Sequence, residues 1–136
     1  MKLLKEIKSK YGITHFKRWS MISTKWFSVY LHGIYKEDQD KYLHNHPWNI
    51  LTIIIYGSYI EQLENDLVKI RGIFNIGFHG RSSYHKIKKL LSKKVYSLAI
   101  VWGKHDDNWG YKFEGKHIDN RSFREYKNGI TNWHEQ

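Results

Sequence analysis

The chain has 136 residues and no cysteine, which excludes disulfides, thiolate metal sites and cysteine nucleophiles. Its 23 Lys and Arg against 13 Asp and Glu give a formal charge of +10, which favours an anionic partner without determining a fold. Hydrophobic residues make up 40% and aromatic residues 16% of the sequence, which excludes an intrinsically disordered chain. We therefore expect a single domain over residues 1–136, large enough to bury a core.

The first segment, residues 1–15, is predicted to be helical. Leu3, Leu4 and Ile7 share one face at helical spacing, and Gly12 follows as a stop signal. Lysines and a glutamate interrupt these apolar residues, so the segment lacks the apolar core of a signal peptide. No apolar stretch of the sequence is long enough to cross a membrane, and we expect a soluble, cytoplasmic protein without a membrane partner.

The rest of the chain shows strand periodicity. Alternating residues, or short apolar runs between turn signals, predict strands over residues 26–35, 48–56, 59–63, 67–74, 84–91, 95–102 and 109–113. Gly57 and Ser58 predict a hairpin between two of these strands. Residues 115–136 form a polar tail that is expected to pack on the barrel. The pattern indicates an all-β protein, a sandwich or a small barrel, whose interior can hold one small ligand.

The most informative stretch is His44-Asn45-His46-Pro47-Trp48. Residues i and i+2 of a strand point to the same side, so His44 and His46 offer two imidazoles from one face, which is a good chelating pair. Pro47 favours an extended backbone at His46. The spacing alone is weak, because a chain with nine histidines often contains such a pair by chance. A surface or capping pair of histidines therefore stays open as the alternative.

These residues resemble the first motif of the cupin superfamily, which has His-x-His, then a Glu, then a Gly at a turn. Gly57 stands where that Gly belongs, whereas Ile50 or Leu51 occupies the position of the Glu. The second cupin motif supplies one further His on a later strand, and His85 fits that place. The usual Pro-x-Gly before it is absent, and residues 80–83 stand there instead. The resemblance implies a cupin-type jelly-roll β-barrel.

A group of small, phage-encoded cupin-like proteins is a closer resemblance. The pieces that match it are Phe16-Lys17-Arg18-Trp19, Leu31-His32-Gly33-Ile34, Glu37-Asp38-Gln39-Asp40, His44-Asn45-His46-Pro47-Trp48, Gly57, Tyr59-Ile60-Glu61, His85-Lys86-Ile87 and Trp109-Gly110-Tyr111. The match covers residues 16–126 in scattered pieces, and His-x-His-Pro-Trp is its most specific element. The group has no single activity to carry over, and a phage origin would place the protein in the host cytoplasm.

The resemblance implies a metal centre held by His44, His46 and His85. Glu61 is a candidate fourth ligand and catalytic group that would replace the missing carboxylate, and a solvated charge on a hairpin is the alternative. With or without Glu61, the donor set suits a divalent ion: Fe(II) first, with Mn(II), Ni(II) or Zn(II) as alternatives. Because the chain has no cysteine, any metal here depends on imidazole and carboxylate ligands.

The candidates for binding a ligand are Arg18, His32, Trp48 and Arg81. Arg18 or Arg81 would anchor an anionic group, and His32 would line the cavity, with a half-buried structural histidine as the alternative. His79 lies among glycines and is predicted to be exposed in a loop.

The positive charge is concentrated in the middle of the chain. Residues 67–105 contain seven lysines, two arginines and no acid. A cationic face beside His85 favours a small anionic ligand, with a solubilising lysine surface as the alternative. Nucleic acid is a weaker candidate, because arginine, which reads bases by paired hydrogen bonds, is scarce here.

The leading hypothesis is a metal-dependent cupin enzyme that acts on a small anionic molecule with dioxygenase-like chemistry. One alternative is a non-enzymatic cupin that binds or sequesters a nucleotide-type ligand. The other is a metal-independent nucleotide-sugar epimerase or isomerase, which would use a histidine base and Tyr59 as the acid. Cupins often dimerise, so a homodimer stays open, although no residue pattern indicates an interface.

Overall fold

The computed structural model describes residues 1–37, 43–80, 83–103, 109–113, 115–120 and 122. Eleven strands account for most of these residues: β1 Lys2–Lys8, β2 Thr14–Ser23, β3 Phe27–Ile34, β4 Asn49–Tyr56, β5 Tyr59–Leu63, β6 Val68–Arg71, β7 Ile76–His79, β8 His85–Leu90, β9 Val95–Trp102, β10 Gly110–Phe113 and β11 Lys116–Asp119. A short 3-10 turn, Glu64–Asp66, separates β5 from β6. The described residues contain no helix with the length and hydropathy that a membrane crossing needs.

The prediction of a helix within residues 1–15 is wrong. Strand β1 pairs antiparallel with β2, and its ladder shifts register between Leu3 and Lys5 and again after Ile7. These irregularities break the period of two, so the apolar residues fall at spacings that also fit a helix. Leu3 and Ile7 remain 46% and 43% exposed, so pairing with β2 stabilises this conformation more than burial does.

The strands form two opposed layers. One layer is a six-stranded antiparallel sheet in the order β1-β2-β3-β9-β4-β7. The other contains the three-stranded sheet β6-β5-β8 and the hairpin β10-β11. Single bridges from His44 to His85 and to Tyr111 connect these two smaller sheets. The all-β prediction is confirmed and the layers are those of a jelly roll, but the pairing among the described residues does not close a barrel.

The predicted hairpin at Gly57 and Ser58 is wrong. Strands β4 and β5 follow one another there but lie in different sheets, and β5 pairs with β6 and β8. Gly57 has φ +83°, and a Cβ at this position would collide with the carbonyl oxygen of Lys94. Glycine is therefore required where the chain crosses from one layer to the other.

The core lies between the layers in two clusters. One contains Ile34, Ile54, Tyr59 and Val95 from both layers, and the other contains Ile50, Ala99 and Val101 from the six-stranded sheet. The predicted tail begins with β11, which pairs with β10, and residues 123–136 lie outside the described part of the chain. Polar side chains are buried beside both clusters, and they form the candidate site.

Candidate metal centre

The histidine motif is held between β8 and β10 by backbone hydrogen bonds. The His44 amide donates to the His85 carbonyl at 2.9 Å, and the His85 amide donates back at 2.8 Å. Asn45 continues the pairing on the other side, where its amide donates to Gly110 O and its Oδ1 accepts from Gly110 N at 2.7 Å. A Cβ at Gly110 would collide with the carbonyl oxygen of Ile118, so this close approach requires glycine.

His44, His46 and His85 converge at the inner side of this segment. The ring centroids of His44 lie 5.2 Å from His46 and 4.9 Å from His85, and those of His46 and His85 are 5.2 Å apart. Nε2 of His46 lies 3.0 Å from Nε2 of His85. One ring nitrogen from each of the three residues can be chosen so that all lie within 4.8 Å of one another. The structure thus brings together the three histidines that the sequence nominates as metal ligands.

Glu61 lies behind His85 rather than among the three imidazoles. Its Oε2 accepts hydrogen bonds from His85 Nδ1 at 3.0 Å and from His79 Nε2 at 2.9 Å. Its Oε1 accepts from Arg71, with Nε at 3.0 Å and Nη2 at 2.9 Å. The Arg71 Nη1 donates in turn to Asn75 at 3.0 Å. All four lone-pair directions of this carboxylate are therefore used by side chains of the protein.

Strand register explains how Glu61 reaches this position. Glu61 lies opposite Ile87 in the β5–β8 ladder, and Leu63 lies opposite His85. On the other side of β5, Arg71 lies opposite Tyr59. Directly opposed residues point to the same side of a sheet, so Glu61, His85 and Arg71 all face the interior. Glu61 is 2% exposed and the side chain of Arg71 is 11% exposed.

The Glu61 carboxyl is ionised in this network. Burial alone would raise its pKa, but the hydrogen bonds from His79 and His85 outweigh burial and hold the pKa of Glu61 well below its usual range. Because the carboxylate can only accept, His85 carries its proton on Nδ1, and a neutral His85 then has its lone pair on Nε2. That lone pair faces His46.

His79 is buried, and the prediction of an exposed loop residue is wrong. It is 6% exposed at the end of β7, opposite Ile50 of β4, and its ring stacks on His85 with centroids 4.1 Å apart. The alternation of residues in Ile76–His79 is the strand signal that could have identified His79 as buried. Gly77 and Gly80 disguise this signal, because they make the segment look like a loop. Gly77 lies beside the Arg71 guanidinium, and a Cβ at this position would be in ordinary van der Waals contact with it at 3.4 Å.

The other nominated residues lie in three places. Arg18 and His32 face the interior from β2 and β3, where Arg18 Nε donates to His32 Nε2 at 3.0 Å. The Trp48 ring is parallel to that of His46, with an angle of 4° and centroids 6.3 Å apart. Tyr59 is 6% exposed in the apolar core cluster. Arg81 lies outside the described residues.

A small cavity connects Glu61 to the apolar core. Its volume is about 30 Å³, and it is lined by Ile50, Thr52, Ile54, Tyr59, Glu61, Arg71, Asn75, Gly77, His79 and His85. A second set of three potential ligands, Glu61, His79 and His85, borders this cavity. His85 belongs to both sets, through Nε2 in one and Nδ1 in the other.

The three-histidine set fits a first-row divalent ion. A ring nitrogen binds such an ion at about 2.1 Å, and two ligands at a right angle are then about 3.0 Å apart. This matches the Nε2 separation of His46 and His85, 3.0 Å. Metal binding needs neutral imidazoles, and burial, followed by the charges of His85, His44 and Arg18, places the pKa of His46 well below its usual value.

The fold is similar to solved cupin structures. A cupin superfamily protein of Desulfitobacterium hafniense has a TM-score of 0.53 and 10% identity, over 65% of this chain and 77% of that chain. FeII HppE has a TM-score of 0.59 and 9% identity, over 72% of this chain and 56% of HppE. The DMSP lyase DddQ of Ruegeria pomeroyi has a TM-score of 0.58 and 14% identity, over 86% of this chain and 57% of DddQ.

Sequence comparisons assign neither a family nor an activity to the chain. No protein-family model matches the chain, and no curated protein matches it. The chain spans little more than half the length of HppE and of DddQ, and identities this low carry the fold alone. The residues of the site and the architecture together show that this chain has a cupin fold.

Proposed function

We propose that the protein is a metal-dependent cupin enzyme, with Fe(II) held by His44, His46 and His85, that acts on a small anionic molecule by dioxygenase-like chemistry. The observation that carries the proposal is the convergence of three imidazoles, two of whose Nε2 atoms are 3.0 Å apart. Among proteins of similar fold, HppE is described with FeII, which supports iron as the first ion to test.

The chain's own residues prepare this centre. Glu61 accepts the Nδ1 proton of His85 and thereby fixes the ring orientation and the tautomer that leaves Nε2 available. Arg71 and His79 hold Glu61 in turn. When bound, Fe(II) with three protein ligands supplies redox capacity and open coordination positions.

The cavity beside His85 is too small for a substrate. Ile50 and Ile54 line it, and its volume is about 30 Å³, which holds about one or two water molecules. The expectation of a small anionic substrate therefore depends on the positive charge of the chain and not on this cavity.

Metal analysis tests the proposal. The protein is purified without a histidine tag, incubated anaerobically with Fe(II), desalted and analysed by plasma mass spectrometry. We expect one ion per chain in the wild type and less than a tenth of an ion in His46→Ala. The matched control is His117→Ala, because His117 is exposed and contacts Tyr84 away from the cluster. A wild type that binds neither Fe(II) nor Mn(II) contradicts the metal proposal.

Catalysis is tested separately with an oxygen electrode. The Fe(II)-loaded protein is offered a panel of small 2-oxo acids, amino acids and nucleotides, and we expect substrate-dependent oxygen uptake that His46→Ala lacks. A nucleotide that raises the Tm and is not turned over would contradict the enzyme proposal and indicate a sequestering protein.

A further inference from the structure

We propose that Arg18 and Trp48 form a subsite for the carboxylate group of a small molecule, next to the three-histidine centre. The inference that this molecule is the substrate rests on the proposed function, whereas carboxylate binding at Arg18 does not. Three features of the described residues support the subsite: a buried guanidinium, a buried indole N–H, and the position of both relative to His46.

Arg18 is fixed on one edge only. It lies opposite His32 in the β2–β3 ladder, and its Nε donates to His32 Nε2 at 3.0 Å. Burial, and then the charge of Arg18, lower the pKa of His32 to about 3, so this histidine is a neutral acceptor at physiological pH. His32 therefore occupies Nε and leaves the edge formed by the two Nη groups for another partner.

Aromatic rings surround the guanidinium. Its Cζ lies 5.1 Å from the ring centroid of Tyr30, 5.5 Å from that of Trp48 and 5.6 Å from that of Phe16. Among the described residues, no ion pair involves Arg18. Burial accordingly lowers the pKa of Arg18. The protein holds this cation with π faces and a neutral imidazole, which leaves its charge for a bound anion.

Trp48 adds an unsatisfied donor at the same place. Its Nε1 is a buried polar atom without a hydrogen-bond partner in the described structure. Buried donors in native proteins nearly always have a partner, so an unpaired one indicates a ligand or solvent that completes it. The same ring contacts the Arg18 guanidinium, with Cζ 5.5 Å from the ring centroid, and is parallel to the His46 ring at 6.3 Å. Trp48 thus contacts both the cation and a candidate metal ligand.

The donor set favours a carboxylate over a phosphate. The two Nη groups of an arginine match the two oxygens of a carboxylate in a paired geometry. One buried guanidinium balances a single negative charge, whereas a phosphate dianion would carry an excess charge into a ring-lined space. We infer a compact monocarboxylate whose other donor atoms could reach the three-histidine centre.

Nuclear magnetic resonance can measure this binding directly. The full-length 15N-labelled protein, as purified, is titrated with acetate at constant ionic strength, and the indole 1H–15N resonance of Trp48 is assigned as the one lost in Trp48→Phe. We expect a saturable shift of that resonance with acetate and none with chloride or inorganic phosphate. The absence of a saturable shift with acetate overturns the proposal, and tighter binding of phosphate overturns the carboxylate assignment.

Two variants identify the binding group. Arg18→Lys keeps the charge but removes the paired donors, and we expect acetate to bind at least about tenfold more weakly. Lys17→Met is the matched control, because Lys17 is the adjacent residue of β2 and contacts Trp19 on the opposite face of the sheet. It should change acetate binding less than twofold. Equal acetate affinity in wild type and Arg18→Lys overturns the subsite.

A second readout covers the case in which Arg18→Lys does not fold. Acetate should raise the Tm of the wild type, and Trp48→Phe, which keeps a ring against Arg18 but lacks the N–H, should lose most of that rise. An equal rise in Trp48→Phe overturns the role of the indole. Repeating the titration after addition of Zn(II) separates the two proposals. Acetate binding without Zn(II) binding supports the subsite and contradicts the metal centre, and Zn(II) binding without acetate binding does the reverse.

Discussion

His85 belongs to two groups of side chains that differ in their chemistry. On its Nδ1 side, Glu61 receives hydrogen bonds from His85, His79 and Arg71, and the group is internally complete. On its Nε2 side, His85 meets His46 and His44, and among the described residues this set of candidate ligands contains only imidazoles. This difference fits the proposal that the first group positions His85 and the second group binds the ion.

The same contrast explains why Glu61 is not required as a metal ligand. A carboxylate that already accepts from Arg71 and two histidines would have to lose one of these bonds to bind an ion. The Nε2 atoms of His46 and His85 are 3.0 Å apart and can share one proton, which a metal ion would replace. We therefore propose that the three histidines bind the ion and that Glu61 orients His85.

The largest effect should come from His85→Ala, because this residue joins the two groups. We expect metal affinity to fall at least about 100-fold and the free energy of unfolding to fall by about 2 kcal/mol, since Glu61 loses a buried donor. His44→Ala should lose metal equally while changing stability less. Metal titration and urea unfolding check both, and retained metal in either variant would contradict the assignment.

Glu61→Gln should have the next largest effect. It leaves the buried Arg71 charge without a counter-charge and releases His85, so we expect a loss of about 3 kcal/mol in stability and of about 10- to 100-fold in metal affinity. Glu64→Gln is the matched control, because Glu64 is 38% exposed and its nearest cation, Lys112, is 3.8 Å away. That control should change stability by less than about 1 kcal/mol. Complete loss of metal in Glu61→Gln would make Glu61 a ligand.

His79→Gln distinguishes the two groups most sharply. The glutamine amide can still donate to Glu61, so we expect metal affinity within about threefold of the wild type and a stability loss of about 1 kcal/mol. If the ion instead occupied the set Glu61, His79 and His85, the same substitution would remove one of its ligands. A metal affinity lowered more than about 30-fold would move the centre to that set.

The smallest effect on metal affinity is expected from His32→Gln, because His32 belongs to neither group. Its pKa is about 3 in the fold and near 6.5 when exposed, so the unfolded chain binds a proton that the folded chain does not. Stability should fall as the pH falls through this interval, by about 1.4 kcal/mol per pH unit. In His32→Gln, the difference in unfolding free energy between pH 7 and pH 5 should shrink by about 2 kcal/mol. An unchanged difference would contradict a neutral, buried His32.

Sequence periodicity predicted much of the fold because several strands are long and alternate or are fully apolar. Strand β9 and strand β5 lie where they were expected, at Val95–Trp102 and Tyr59–Leu63. The first strand was mistaken for a helix because its irregular register imitates helical spacing. Strand β7 was missed because Gly77 and Gly80 look like loop residues, although Gly77 lies within the strand Ile76–His79.

The candidate site was predicted only in part, because local sequence patterns identify some of its residues and not others. Local spacing identified His44 and His46, and resemblance to cupins added His85. No local signal pointed to Arg71, and glycines disguised the alternation that includes His79. The roles of both residues depend on β6 and β7 meeting β5 and β4 across the fold. Long-range pairing of this kind is set by the whole chain rather than by a motif. The single-domain organisation, the homodimer and the phage-related group remain predictions.

Anomalous diffraction from crystals of the full chain grown with Zn(II) tests the central claim most directly. The account predicts one anomalous peak within about 2.1 Å of Nε2 of His46, Nε2 of His85 and a ring nitrogen of His44, with Glu61 bonded to His85 and not to the ion. A peak bonded to Glu61 and His79, or a structure with no ion at the three histidines, would contradict it.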